Sequence, residues 1–155
     1  DAIERMRQAL DAYRATGAEL PGVAFRAMLA DALIHAGRPQ EALDEIVLAQ
    51  TSVRSLHDRI WEPEALRLQG QCMLALPDPK QEPAQQCFSQ AIALARSSGA
   101  KGWELRASTS LASQLCQRGQ PGPAREILAP IFESFSEGFE TADLRDARAL
   151  LSELV

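Results

Sequence analysis

Small and large apolar residues follow one another along this chain at helical spacing, and the pattern returns about every forty residues. Ala2, Ala42, Ala84 and Ala124 hold equivalent places. Four residues further on stand Met6, Ile46, Phe88 and Leu128, and three beyond those Ala9, Ala49, Ala91 and Ile131. Steps of three and four place such a small–large–small set on one helix face. Its return at a fixed period predicts stacked helical hairpins, an architecture that offers an extended surface to a partner and builds no reaction centre by itself.

The pattern and its breakers predict eight helices, over 1–16, 22–36, about 39–55, 61–76, 82–97, 102–118, 121–135 and 141–154. Gly17, Gly37, Gly99 and Gly119 stand where helices should stop. Pro39 and Pro83 fall in first turns, where a missing N–H costs little. Pro77 and Pro79 end the fourth helix, and Pro130 is expected to kink or split the seventh. Thr141 is expected to cap the last helix, with Asp143 favourably placed in its first turn. No strand-like alternation bounded by hairpin turns occurs, so the fold class is all-α.

Short connections make sequential helices antiparallel neighbours, which pairs them as A helix, turn, B helix. In the A helices Leu29-Ala30 and Leu33 precede Gly37, and Leu111-Ala112 and Leu115 precede Gly119. The middle copy has Gln69-Gly70 and Met73, followed by a turn lengthened around Pro77-Asp78-Pro79-Lys80. Small residues at Ala30, Gly70 and Ala112 should let A and B helices approach closely.

Composition narrows the function classes. Apolar residues make up 46% and charged residues 24%, ordinary for a globular chain, and only 5% are aromatic, which suits close-packed helices better than a β-sandwich. The net charge of −5, without a run of like charges, argues against direct nucleic-acid binding. No stretch approaches the roughly twenty apolar residues of a membrane span, and no signal peptide opens the chain. Cys72, Cys87 and Cys116 lie on predicted helices without metal or redox spacing, and read as reduced, half-buried thiols of a cytoplasmic protein. The chain opens at Asp1 within a helical pattern, as a piece cut from a longer protein would.

Candidate chemistry is sparse. His35 and His57 have no ligand-spaced partners and read as surface or turn residues, so no metal and no cofactor is expected. Ser108, Thr109, Ser110 and Ser113 form a hydroxyl-rich stretch that reads as helix surface, because no positioned base accompanies it. Glu62 and Glu64 near Arg67, and Glu104 near Arg106, read as ordinary intrahelical or inter-repeat ion pairs, worth tenths of a kcal/mol where exposed. No catalytic constellation emerges, and no enzyme is expected. Trp61 and Trp103 recur ahead of their A helices, which favours wedging between successive copies over exposed binding anchors. Arg14, Arg54 and Arg96 recur near the ends of B helices, where a cation complements the helix dipole.

In register, these features resemble the tetratricopeptide repeat family over nearly the whole chain. Residues 23–56, 63–98 and 105–138 correspond to three units, 1–16 to the second half of another, and 141–154 to a capping helix. The period exceeds the family's usual one, and the Pro77–Pro83 insertion replaces the turn Gly of the second unit. The resemblance implies a right-handed superhelical solenoid whose concave face is lined by A helices. The groove would carry Asp31 and His35 from the first unit, Glu64, Arg67 and Gln71 from the second, and Arg106, Thr109, Ser113 and Gln117 from the third. Its ligand would be a protein, a peptide or an upstream domain of the same chain, with self-association through an open repeat end as a further route. The chaperone-tail clamp of some family members is excluded, because Ala27 and Asp31 stand where Lys and Asn would be required. Trp61-Glu62, Trp103-Glu104 and the ending Glu137-Gly-Phe-Glu-Thr-Ala-Asp-Leu144 are similar to the C-terminal repeats of bacterial signalling ATPases, which carry a nucleotide cyclase or a transcription-regulator domain. That likeness implies a sensing or scaffolding segment. A stand-alone adaptor and a small-molecule inducer sensor are the alternatives.

Overall fold

The computed structural model describes residues 2–17, 22–51 and 59–154, with the side chain of Arg14 excepted. Among these residues there are eight substantial helices and no strand. They are α1 (Ala2–Ala15), α2 (Gly22–His35), α3 (Pro39–Thr51), α4 (Glu62–Ala75), α5 (Gln81–Ser97), α6 (Lys101–Gln117), α7 (Pro121–Glu133) and α8 (Ala142–Glu153). The all-α expectation holds, and the helix ends fall within a few residues of the Gly and Pro breakers. The end of the third predicted helix, with Arg54 and His57, lies outside the described residues.

Helix ends follow local chemistry. Gly37 and Gly119 both adopt positive φ, 71° and 73°, a conformation that side chains with a Cβ avoid. In each, the following N–H folds back onto the last turn: Arg38 donates to the Leu33 carbonyl and Gln120 to the Leu115 carbonyl, both at 2.9 Å. The same closure therefore ends α2 and α6. Between them α4 stops differently. Leu76 turns extended, and the Pro77–Lys80 loop returns so that the Lys80 N–H donates to the Met73 carbonyl at 3.0 Å.

Two expectations are corrected. Of the kink or split expected at Pro130, the split does not occur, and α7 continues to Glu133. Both Pro130 and Glu126, whose carbonyl loses its helical donor, are exposed, so water can satisfy that group. Thr141 occupies the N-cap position of α8 but its side chain makes no capping bond; its hydroxyl donates to the Gly138 carbonyl at 2.8 Å.

Packing follows chain order: each helix from α1 to α8 lies against the next, and α2 also touches α4, α4 touches α6, and α6 touches α8. These even-numbered helices form a row, with α3, α5 and α7 behind it. One core cluster joins Leu29, Ala30 and Leu33 to Ala42, Ile46 and Ala49 and to Ala65, Leu68 and Cys72 of α4. The other joins Phe88, Ala91, Leu111, Ala112, Leu115, Leu128 and Leu144, with Leu66, Met73 and Leu74 from the opposite side of α4. α4 is thus buried on two sides. A Cβ at Gly70 would lie 2.6 Å from Cε1 of the fully buried Phe88 ring, so close A–B approach requires glycine at this position.

Trp61 and Trp103 are half-buried, and their ring centroids lie 5.1 Å apart at 52°. The wedge expected between copies is therefore a direct aromatic pair. Cys72 and Cys87 are buried and Cys116 is half-buried; all three are free thiols. Burial pushes the Cys72 thiol up to about 12, so it is an inert packing group at neutral pH.

Candidate functional site

The row of even-numbered helices brings residues from four helices to one surface. Asp31 and His35 are one turn apart on α2, Arg67 and Gln71 one turn apart on α4, and Arg106, Thr109 and Ser110 share a face of α6. With Asp143 and Asp146 of α8 they line an open cleft of about 240 Å³. A second cleft of about 380 Å³ continues from it, lined by Ile34, Leu74, Phe88, Ser113, Gln114 and Gln117, and the two share His35, Gln71 and Ser110. Eight of the nine residues expected in the groove line one cleft or the other.

The ninth, Glu64, lies beneath them. Its carboxylate is 4% exposed and accepts two hydrogen bonds from Arg67, at 2.7 Å from Nε and 2.8 Å from the guanidinium terminus. Arg106, reaching over from α6, brings a guanidinium nitrogen to 2.8 Å from the same carboxylate. One acidic group thus holds two guanidiniums from neighbouring helices. Burial alone would lower the pKa of Arg67. The hydrogen bonds and charge of Glu64, with the nearby Asp31 and Asp143, outweigh burial and raise it, so Arg67 stays protonated.

Intrahelical and inter-repeat ion pairs both form, with two features that spacing does not give. Glu64 and Arg67 are buried, because α2 and α6 close over the α4 surface that an i,i+3 spacing would otherwise leave open. Glu104 pairs with Arg96 of α5, at 2.8 and 2.9 Å, and not with Arg106. Arg96 stands in the last turn of α5, as expected, and in addition bridges two helices.

Around this centre the contacts are looser. Arg67 and Gln71 each donate to the Ser110 hydroxyl at 3.4 Å. Arg106 Nε lies 3.5 Å from Asp143, and Arg67 lies 3.9 Å from Asp31. The His35 ring nitrogen Nδ1 sits 2.8 Å from the Asp31 carbonyl with the ring largely exposed, and Thr109 donates back to the Leu105 carbonyl at 2.9 Å. Comparison with protein-family models, with curated proteins and with solved structures finds no match.

Sequence reasoning missed Ser110, Asp143 and Asp146. Ser110 follows Arg106 by one turn, and Asp143 and Asp146 recur at i,i+3; both signals become readable once α8 is treated as a fourth member of the row. Ser108 was assigned to the helix surface, yet it is fully buried and its hydroxyl makes no hydrogen bond. Among the described residues no group of three His, Cys, Asp or Glu side chains could hold a metal, and no helix is long and apolar enough to cross a membrane.

The cleft's electrostatics differ from a list of its residues. Arg67 and Arg106 share the single carboxylate of Glu64 below them, and Asp31, Asp143 and Asp146, which line the cleft itself, more than offset the remaining positive charge. The surface can therefore accept hydrogen-bond donors and cationic groups more readily than it can offer free arginine.

Proposed function

We propose that this chain is a protein-interaction scaffold, a right-handed superhelical solenoid of tetratricopeptide-like hairpins that holds an extended protein segment along the A-helix row. The observation carrying this reading is the pair of clefts that share His35, Gln71 and Ser110 and run without a break across α2, α4, α6 and α8. The forty-residue period, the chain-order packing and the second row of contacts among even-numbered helices support the solenoid. The bound segment presents donors and basic side chains to Asp31, Asp143 and Asp146 and apolar ones to Ile34 and Leu74. Its source is a partner protein or an upstream domain of one cytoplasmic polypeptide, a bacterial signalling ATPase or transcription regulator. Binding would bias that effector by the 1–3 kcal/mol typical of such coupling.

A photoreactive residue at exposed Gln117, compared with one at exposed Val47 on α3, tests this in source cells. The expected result is a single adduct from Gln117 and none from Val47. Equal labelling from both positions, or none from Gln117, refutes the groove. An immunoblot of the same lysate separates the two sources: a band far above the size of a 155-residue chain identifies an arm of a multidomain regulator. A band at that size identifies a free adaptor.

A further inference from the structure

Three positions of α1 are left open although their equivalents are closed in every other copy. Ala42, Ala84 and Ala124 are fully buried, as are Ile46, Phe88 and Leu128, and Ala49, Ala91 and Ile131 are buried too. The corresponding residues of α1 are Ala2, exposed, Met6, half-buried, and Ala9, exposed. In the other copies the cover comes from an A helix: α2 lies on α3, α4 on α5 and α6 on α7. α1 has no such partner among the described residues.

The neighbouring surface of α2 is open in the same way. Counted from Ala30, Gly70 and Ala112, Phe25 corresponds to Ala65 and Ala107, both buried, yet Phe25 is 40% exposed. α4 and α6 each pack also on the A helix before them, α2 and α4 respectively, and α2 has no such predecessor among the described residues. Residues of α1 and α2 together line an apolar cleft of about 370 Å³, with Met6, Ala9, Leu10 and Tyr13 on one side and Phe25 and Met28 on the other. The Tyr13 and Phe25 rings meet within it at 5.6 Å between centroids.

We infer that this end face is the docking site of one amphipathic helix, antiparallel to α1, bearing the Leu-Ala-x-x-Leu stripe with which α2 and α6 enter the core. That stripe is Leu29-Ala30 and Leu33 in α2, and Leu111-Ala112 and Leu115 in α6. A second copy of this chain does not fit, because its own stripes are buried already and α8, at the far end, points Arg145, Asp146, Arg148 and Glu153 outward. The docking face shares α2 with the groove but uses Phe25 and Met28 and none of the groove's lining residues, and the inference stands or falls independently of the groove's ligand.

The test fuses a copy of residues 22–40 in front of Asp1, which reproduces the register of α2 on α3. The expected result is that amide exchange in α1 slows about tenfold or more, with a melting temperature raised by about 5 °C. The same extension with both leucines of its copied stripe changed to Asp should give neither effect, and Ala9→Glu in the body should abolish both. Unchanged α1 exchange, or an equal gain from the Asp-bearing extension, overturns the proposal. Sedimentation of the unextended chain should show a monomer. A dimer that protects α1 would make a second copy the occupant and overturn it as well.

Discussion

At the C-terminal end α8 turns Leu144, Ala147 and Leu154 inward and keeps its outer face polar, while Arg148 lies over the Phe132 and Phe139 rings at 6.0 and 5.2 Å. At the N-terminal end, among the described side chains, α1 buries only Ile3 and Leu10, and beside it Phe25 and Met28 stay open. Both ends are closed by a single helix, but one helix is written with one apolar face and the other with two. A terminal helix with one apolar face finishes a stack, whereas a helix with two such faces is built to be packed from both sides.

The largest effect that can sharpen this contrast comes from placing one charge at equivalent positions. Ala91→Glu should cost more than about 4 kcal/mol, because the carboxylate enters a filled core, whereas Ala9→Glu should stay within about 0.5 kcal/mol. Urea denaturation of the two variants decides it, and equal costs would show that the α1 face is covered after all.

Next in size is the centre of the row. Arg67→Ala leaves Glu64 buried with only Arg106 for company, and should cost about 3–5 kcal/mol. A loss below about 1 kcal/mol would mean that the pair behaves as a surface bridge. Trp61→Ala and Trp103→Ala should each cost about 3 kcal/mol, low in the range for core aromatics because both rings are half-exposed. In a double-mutant cycle their coupling should be about 0.5–1.5 kcal/mol.

How far the sequence could be read depends on which interactions are local. Helix ends were legible because Gly37 and Gly119 act within one turn of their own helices, and the buried A and B stripes were legible because burial repeats with the period. The Glu64–Arg67 pair was misjudged, since an i,i+3 pair carries no mark of the helices that later cover it. Arg106 lines the cleft, but its partner was not legible, because the carboxylate that holds it lies on another helix. Asp143 and Asp146 were missed for a related reason: α8 was read only as a cap, and its membership of the row depends on its contact with α6.

The smallest predicted effect lies at the N-terminal end. Hydrogen bonds from Arg38 and then from Arg7 hold the Glu41 carboxyl at about 2, below its ordinary 4.5. Because the folded-state value is the lower one, this tie supports the fold above about pH 4.5 and is lost as pH falls from there through about 2. Arg7 belongs to α1 and Glu41 to α3, so the tie fastens the end helix to the first hairpin at 2.7 Å. Thermal melts between pH 6 and pH 3 should show the wild type losing a small advantage over Glu41→Gln, and a constant difference would rule the tie out.

The contact between Gly70 and Phe88 sets what may be exchanged among the copies. Where α5 carries a phenyl ring its A helix has no side chain at all, and where α3 and α7 carry Ile46 and Leu128 the matching residues are Ala30 and Ala112. Volume is conserved across each pair and not at either position. The interchangeable part of this molecule is therefore the hairpin: a chimera that moves α4 and α5 together keeps its lock and key, and one that moves a single helix brings a ring against a methyl group.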